Sequence, residues 1–215
     1  MKKVLAIFML LTTSAGFSQQ NDSLHSQIFS LTPIAKNVNK VNGMAFGLGH
    51  GFNGEKEATI NGFNLEVNPV FPLVLLFMDP DRVGNNDIKL KHNGLQIAAG
   101  GFSGRVAHNG LAISVYSITY SSNGMSITGL YNVSKKLNGL HIAGLTNSTD
   151  EAGGLLIAAI NSADVLKGMQ IGVYNKSLDM AGVQIGLLNK TTKIKGLQIG
   201  LWNSNGKRSL PFINW

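Results

Sequence analysis

Three stretches near the C-terminal end decide the fold: Gly168-Met-Gln-Ile-Gly-Val-Tyr-Asn175, Gly182-Val-Gln-Ile-Gly-Leu-Leu-Asn189 and Gly196-Leu-Gln-Ile-Gly-Leu-Trp-Asn203. Each opens on a glycine, continues apolar-Gln-Ile and closes on an asparagine. Working outward, a glycine with apolar residues one and three positions on recurs ten times, at Gly43, Gly62, Gly94, Gly110, Gly124, Gly139, Gly154, Gly168, Gly182 and Gly196. From Gly94 the steps are 16, 14, 15, 15, 14, 14 and 14 residues. A short, steady period marks an array in which each repeat is one structural unit stacked on its neighbours.

Let the glycine be position zero. Position +1 holds Met44, Phe63, Leu95, Leu111, Met125, Leu140, Leu155, Met169, Val183 and Leu197. Position +3 holds Phe46 and Leu65, then Ile97, Ile113, Ile127, Ile142, Ile157, Ile171, Ile185 and Ile199. Apolar residues two apart share one face of a strand. Position +2 is often Gln and position +4 is mostly small. Each unit is expected to hold one strand of about six residues. Its +1/+3 face should look into the core, and its Gln face outward.

Upstream, position −2 is apolar in most units: Val41, Ile60, Leu137, Leu166, Met180 and Ile194. In an unbroken strand it would lie on the face opposite +1. Position −1 is Asn in the first six units, and Asn-Gly is a strong turn dipeptide. A corner between −2 and +1 would aim both apolar sets at one core. Lys167, Ala181 and Lys195 replace the Asn in late units. A second corner is expected at Asn161, Asn175, Asn189 and Asn203. Asn132 and Asn147 come one residue later, as a bulge would require.

The unit is directional, glycine first and asparagine last, and its connections do not alternate in length. This predicts a parallel β-solenoid with coils of 14–16 residues. The alternative is an antiparallel β-barrel of the outer membrane, with Leu and Ile facing lipid, Gln and Gly facing a lumen, and Trp215 ending an insertion signal. A barrel would pair its repeats as hairpins and use strands of about 9–11 residues. Aromatic residues, at 7%, are sparse for its two girdles.

The chain divides into residues 1–18, an irregular part 19–93 with degenerate repeats, a regular array 94–203 and a cap 204–215. Lys2 and Lys3, the apolar run Val4 to Leu11 and the small residues Gly16 and Ser18 read as a secretory signal peptide. The expected location is therefore periplasm, outer membrane or cell surface. With no cysteine, disulfides, thiolate metal sites and lipoprotein anchoring are excluded. The formal net charge is +7, and no acidic residue follows Asp179. Lys190, Lys193, Lys195, Lys207 and Arg208 make the end basic. For an exported chain this points to acidic envelope lipid or polysaccharide rather than nucleic acid. Leu210, Phe212 and Trp215 are expected to fold over the open end of the last coil, with Pro211 discouraging a further strand.

Between Gly62 and Gly94 the step is 32 residues, close to two periods with the middle unit lost. The apolar insertion 67–87 carries prolines that argue against a central strand. Asp79, Asp81, Asn85, Asn86 and Asp87 suggest a calcium loop, but Val83 and Leu90 stand where oxygen ligands are required. His92 and His108 both occupy position −2 in adjacent units and can stack side by side. Zinc needs three or four ligands, and no third is evident. No Ser/His/Asp arrangement and no recurring carboxylate pair stands out. Catalysis, a cofactor and a metal are not expected.

The repeats resemble a family of short bacterial surface repeats with the pattern Gly-Leu-Gln-Ile-Gly-Leu-x-Asn, found in exported proteins. The resemblance covers 94–203 and is tightest at 168–203; the tail 207–215 is also similar. It implies a surface or envelope location. It carries no catalytic residues to transfer. The expected role is a non-catalytic structural or binding protein of the envelope, with a polysaccharide-binding or polysaccharide-active β-helix as a further alternative.

Overall fold

The computed structural model describes residues 25–48, 57–68 and 88–215. The signal-peptide reading (1–18), most of the 67–87 insertion and its acidic cluster lie outside the described residues. Among the described residues twelve strands follow one another: β1 (His25–Thr32), β2 (Val38–Gly47), β3 (Ala58–Val67), β4 (Leu90–Ala99), β5 (Phe102–Ser103), β6 (Val106–Ser114), β7 (Ser117–Thr128), β8 (Tyr131–Ala143), β9 (Thr146–Ile157), β10 (Ile160–Lys190), β11 (Lys193–Ser204) and β12 (Ser209–Asn214). They pair in chain order, β1-β2-β3-β4-β6-β7-β8-β9-β10-β11-β12, with β5 beside β7. Pairing is parallel from β1 to β11. Among these strands only β12 runs antiparallel, along β11. The molecule is a β-solenoid, and parallel stacking rules out the antiparallel barrel.

The repeat period becomes the register. Gly62 pairs with Gly43 and Gly94, Gly110 with Gly94 and Gly124, and Gly139 with Gly124 and Gly154. Gly168 pairs with Gly154, and Gly196 with Gly182. The 32-residue step between Gly62 and Gly94 is thus spanned by one direct coil-to-coil contact. Two demands keep this column glycine. At Gly139 the backbone has φ +116°, and a Cβ would run into the Gly124 carbonyl oxygen. A side chain can meet neither condition.

Which face is inside is the reverse of the sequence expectation. The isoleucines do stack, Ile97 on Ile113, Ile113 on Ile127, Ile127 on Ile142, Ile142 on Ile157, Ile157 on Ile171 and Ile185 on Ile199. They stack on the outside: Ile113, Ile127 and Ile199 are 38–40% exposed. The glutamines are the buried ladder, with Gln170, Gln184 and Gln198 at 0% exposure. Position −2 faces inward as expected (Val41, Ile60, Leu137, Leu166 and Met180) and shares that face with +2 and +4.

No corner breaks the strand at the glycine. In β4, Leu90, His92, Gln96 and Ala98 are all buried, an alternation that runs straight through Gly94. The phase breaks earlier, at −4 and −3. In β9, Thr149 points in, Asp150 and Glu151 are both exposed, and Ala152 points in again. The same double step occurs at Asp164-Val165 and Leu178-Asp179. Strands are accordingly longer than six residues, 12 in β9 and 13 in β8. The expected bulge before Asn132 and Asn147 is absent; bends at Gly129-Leu130 and Gly144-Leu145 take up the extra residue without a register shift.

Candidate interaction surface and polar interior

Among the described residues 29 buried side chains are polar and 21 apolar, so the interior needs an explanation other than oil-like burial. Repetition supplies it. An amide has a donor and an acceptor, so an identical residue one coil away satisfies both. Gln184 donates to Gln170 and Gln198 to Gln184, each at 2.8 Å. A second buried ladder runs through the closing asparagines. Asn147 donates to Asn161 (3.0 Å), Asn161 to Asn175 (2.9 Å), Asn175 to Asn189 (2.8 Å) and Asn189 to Asn203 (2.7 Å). Each of these also donates to a main-chain oxygen of the next coil, as Asn175 does to Ile185 at 2.9 Å. From Asn161 to Asn203 every amide oxygen of this ladder accepts, and only Asn147 Oδ1 at its start is buried without a donor; a buried network paired in this way stabilises its own register.

The −1 asparagines form a third ladder, on the outside. Asn61 donates to Asn42 at 2.7 Å, and Asn93, Asn109 and Asn123 each donate one coil back at 2.8 Å. Asn138 continues it at 3.0 Å. This ladder, not a turn, is why Asn precedes Gly in the first six units. It stops at Gly153.

Inside the middle coils lie the histidines. His92 and His108 stack with ring centroids 5.0 Å apart and planes 10° from parallel, and their Nδ1 atoms lie 2.9 Å apart. One Nδ1 donates and the other accepts. His141 sits at +2 of its coil, with Nδ1 2.7 Å from Ser126 Oγ. Burial pushes His108 down to about 4, helped by the charge of His141, and pushes His141 down to about 4. Among the described residues no three groups of metal-ligand type converge. At the N-terminal end Glu66 is buried at +4, where burial holds its carboxyl up at about 7 against the opposing hydrogen bond from Asn64. Asn64 Nδ2 lies 2.8 Å from Glu66 Oε1. His141 and Glu66 carry no repeat signature. Only knowing that +2 and +4 face inward would have singled them out.

The outer surface is the candidate for contact. Columns +1 and +3 form two parallel apolar ladders over ten coils, continued at the corner by Leu145, Ile160, Val173, Leu187, Leu188, Leu201 and Trp202, each 44–61% exposed. Exposed lysines flank both margins. Lys40, Lys91, Lys136 and Lys193 stand at −3, with Lys167 and Lys195 at −1. Beyond the far corner stand Lys176 and Lys190. Of the two acids in the −3 column, Glu151 pairs with Lys136 at 3.3 Å, and Asp179 is exposed.

The basic C-terminal set divides between these margins and the cap. Lys190, Lys193 and Lys195 belong to the margins. Arg208 is held within the cap: its Nε donates to Asn214 Oδ1 at 3.0 Å, and its guanidinium lies 4.2 Å from the centre of the Trp215 ring. Lys207 is exposed, and its main-chain N–H donates to Asn205. The cap differs from expectation. Pro211 lies within β12, tolerated because this is the edge strand. Phe212 and Trp215 stay exposed, while Asn214 is the residue that enters the core.

Next to the −3 column, Lys135, Ser148, Asp150, Ser162 and Asp164 line a shallow polar groove of about 220 Å³. Asp150 and Asp164 occupy the same position in adjacent coils, an adjacency the coil register supplies. No family model, no curated protein and no solved structure matches this chain.

Proposed function

We propose that this chain is a non-catalytic, exported structural or binding protein of the bacterial cell envelope, belonging with the short surface-repeat proteins its sequence resembles. The observation that carries the reading is the division of labour within each coil. Inward positions carry amide ladders that fix the register beside an apolar −2 column. Outward positions repeat one contact surface coil after coil. Such an array holds a broad surface rigid, which suits binding by area rather than chemistry at a point.

The test is fractionation of producing cells carrying an epitope-tagged chain. The expected result is a protein shortened by removal of residues 1–18 and recovered with the envelope or outside the cell. Full-length protein retained in the cytoplasm would sink the reading.

A polysaccharide-binding β-helix is the second reading. It draws on the groove of Lys135, Ser148, Asp150, Ser162 and Asp164, whose hydroxyls and charges suit sugar hydroxyls. It is the weaker, because no aromatic face for stacking a sugar ring lines that groove. Retention on immobilised envelope polysaccharide, abolished by Asp150→Ala with Asp164→Ala, would establish it.

A further inference from the structure

We infer that the apolar outer face, with its lysine margins, seats this protein flat on the surface of an anionic phospholipid bilayer. The inference names the partner of the surface on which the envelope reading rests.

The first ground is placement. A strand alternates its faces, so either of its side-chain sets can be turned inward. From +1 to +4 the set turned inward is largely amide, hydroxyl and small, and the set turned outward is Leu, Ile, Met, Val and Phe. The exposed ladders are therefore not overflow from a full core. Ten coils at about 4.8 Å make a stripe roughly 45 Å long, and the run from +1 to +6 makes it roughly 15 Å wide. A continuous apolar stripe of roughly 700 Å² exceeds the largest patch of an ordinary soluble monomer.

Charge selects the occupant. A second copy would cover a similar area, since a stable pair buries about 800 Å² on each partner. Area alone therefore does not decide. Face-to-face pairing, in either orientation, would bring lysine margin against lysine margin. Glu151 is already paired with Lys136; Asp179 in the −3 column, with the exposed Asp150 and Asp164 one position before it, is left to offset Lys40, Lys91, Lys167, Lys193 and Lys195, so that side keeps a positive excess, and Lys176 and Lys190 stand on the other. A bilayer of anionic lipid reverses the sign. Lysine stems lie along the apolar stripe while their ammonium groups reach headgroup phosphates. Trp202 at the stripe's corner and Trp215 near its end are 52% and 63% exposed, and indole rings favour the headgroup level. The outer Asn ladder between the −3 lysines and the +1 column is internally paired, so it tolerates the headgroup region without needing partners.

The test is flotation of the full chain with vesicles containing phosphatidylglycerol, beside vesicles of phosphatidylcholine alone, at low and high salt. The expected result is co-flotation with the anionic vesicles, weakened by salt, with a blue shift in tryptophan fluorescence. Leu111→Gln, Ile113→Gln and Ile127→Gln combined should weaken binding roughly a hundredfold. Lys167→Glu with Lys195→Glu should weaken it about tenfold or more at low salt. Unchanged circular dichroism and thermal midpoint certify that the variants fold; both lysines are exposed, so that pair serves if the triple variant does not fold. A folded monomer that ignores anionic vesicles overturns the inference. So does binding indifferent to lipid charge, or a stable dimer that the triple substitution dissociates. An exported, envelope-located chain that fails to float removes the lipid and leaves the envelope reading standing. Cytoplasmic retention with flotation intact does the converse.

Discussion

Asn214 Nδ2 donates to Gln198 Oε1 at 3.0 Å, so a residue of the antiparallel β12 finishes a ladder that parallel coils began. Its own Oδ1 accepts from Arg208 Nε at 3.0 Å and from the Trp215 main-chain N–H at 3.1 Å. Asn214→Leu would leave Gln198 Oε1 buried without its donor and strip Arg208 Nε of its acceptor. The expected loss is about 2 kcal/mol, read as a lower denaturation midpoint. Deleting 207–215 should do more. It bares the β11 edge, and gel filtration should show larger species. A truncated chain that stays monomeric would mean that β12 is not what protects this edge.

Gln184 and Ile185 are neighbours with opposite fates. Gln184→Ser breaks the ladder on both sides, removing the donor to Gln170 and the acceptor for Gln198. A cost of about 2–4 kcal/mol is expected. Ile185→Asp changes a half-exposed outer position and should cost about 1 kcal/mol. Denaturation of both variants decides the matter, and the reverse order of damage would overturn the face assignment.

Acid should destabilise the middle coils. His108 and His141 have folded values near 4, below the ordinary 6.5, so between those values the unfolded chain holds the extra protons. Stability then rises with pH across that window and is lost as pH falls from 6.5 towards 4. The combined loss is on the order of a few kcal/mol. His141→Gln should flatten the dependence, keeping an amide in a +2 column where amides already fit. In a Glu66→Gln background, which removes the opposing titration of that carboxyl, a melting temperature constant from pH 7 to about 4.5 would contradict the burial of these rings.

Glu66 has the opposite sign. Its folded value near 7 lies above the ordinary 4.5, so the folded chain holds the extra proton in between. Its contribution is full below 4.5 and is lost as pH rises through 7. Glu66→Gln should therefore raise stability at pH 8 by about 2 kcal/mol and change little at about pH 4.5. No gain at pH 8 would show that Glu66 is paired there as a carboxylate.

Two glycines separate backbone demand from habit. Gly139 combines φ +116° with a Cβ path blocked by the Gly124 carbonyl, so Gly139→Ala should cost about 2–4 kcal/mol. At Gly129 the nearest atom to an added Cβ is 3.5 Å away, an ordinary contact. Gly129→Ala should leave the melting temperature almost unchanged. Equal effects would remove the steric account of the glycine column.

The coil period, the parallel stacking and the side-by-side placement of His92 and His108 were legible in the sequence. They depend only on which positions recur. The face was not legible from the Leu/Ile set, because a period of two looks the same from either side. The clue lay in the polar residues. A lone buried glutamine is costly, but Gln170, Gln184 and Gln198 recur at one position and can pair only with one another. Likewise Asn-Gly reads as a turn in a single unit and as a ladder only across six. The true corner shows as a change of parity between Thr149 and Ala152, visible once threonine is admitted to the interior. Asp150 and Asp164 meet through coil register, which no local motif encodes.

The two buried ladders donate in opposite directions along the stack. Gln184 Nε2 donates back to Gln170, while Asn175 Nδ2 donates forward to Asn189. Their axial dipoles therefore oppose along the stack instead of adding head to tail as the peptide dipoles of a helix do. Inserting another 14-residue coil extends both columns without polarising the rod. Its length is electrostatically free to drift by internal duplication, one coil at a time.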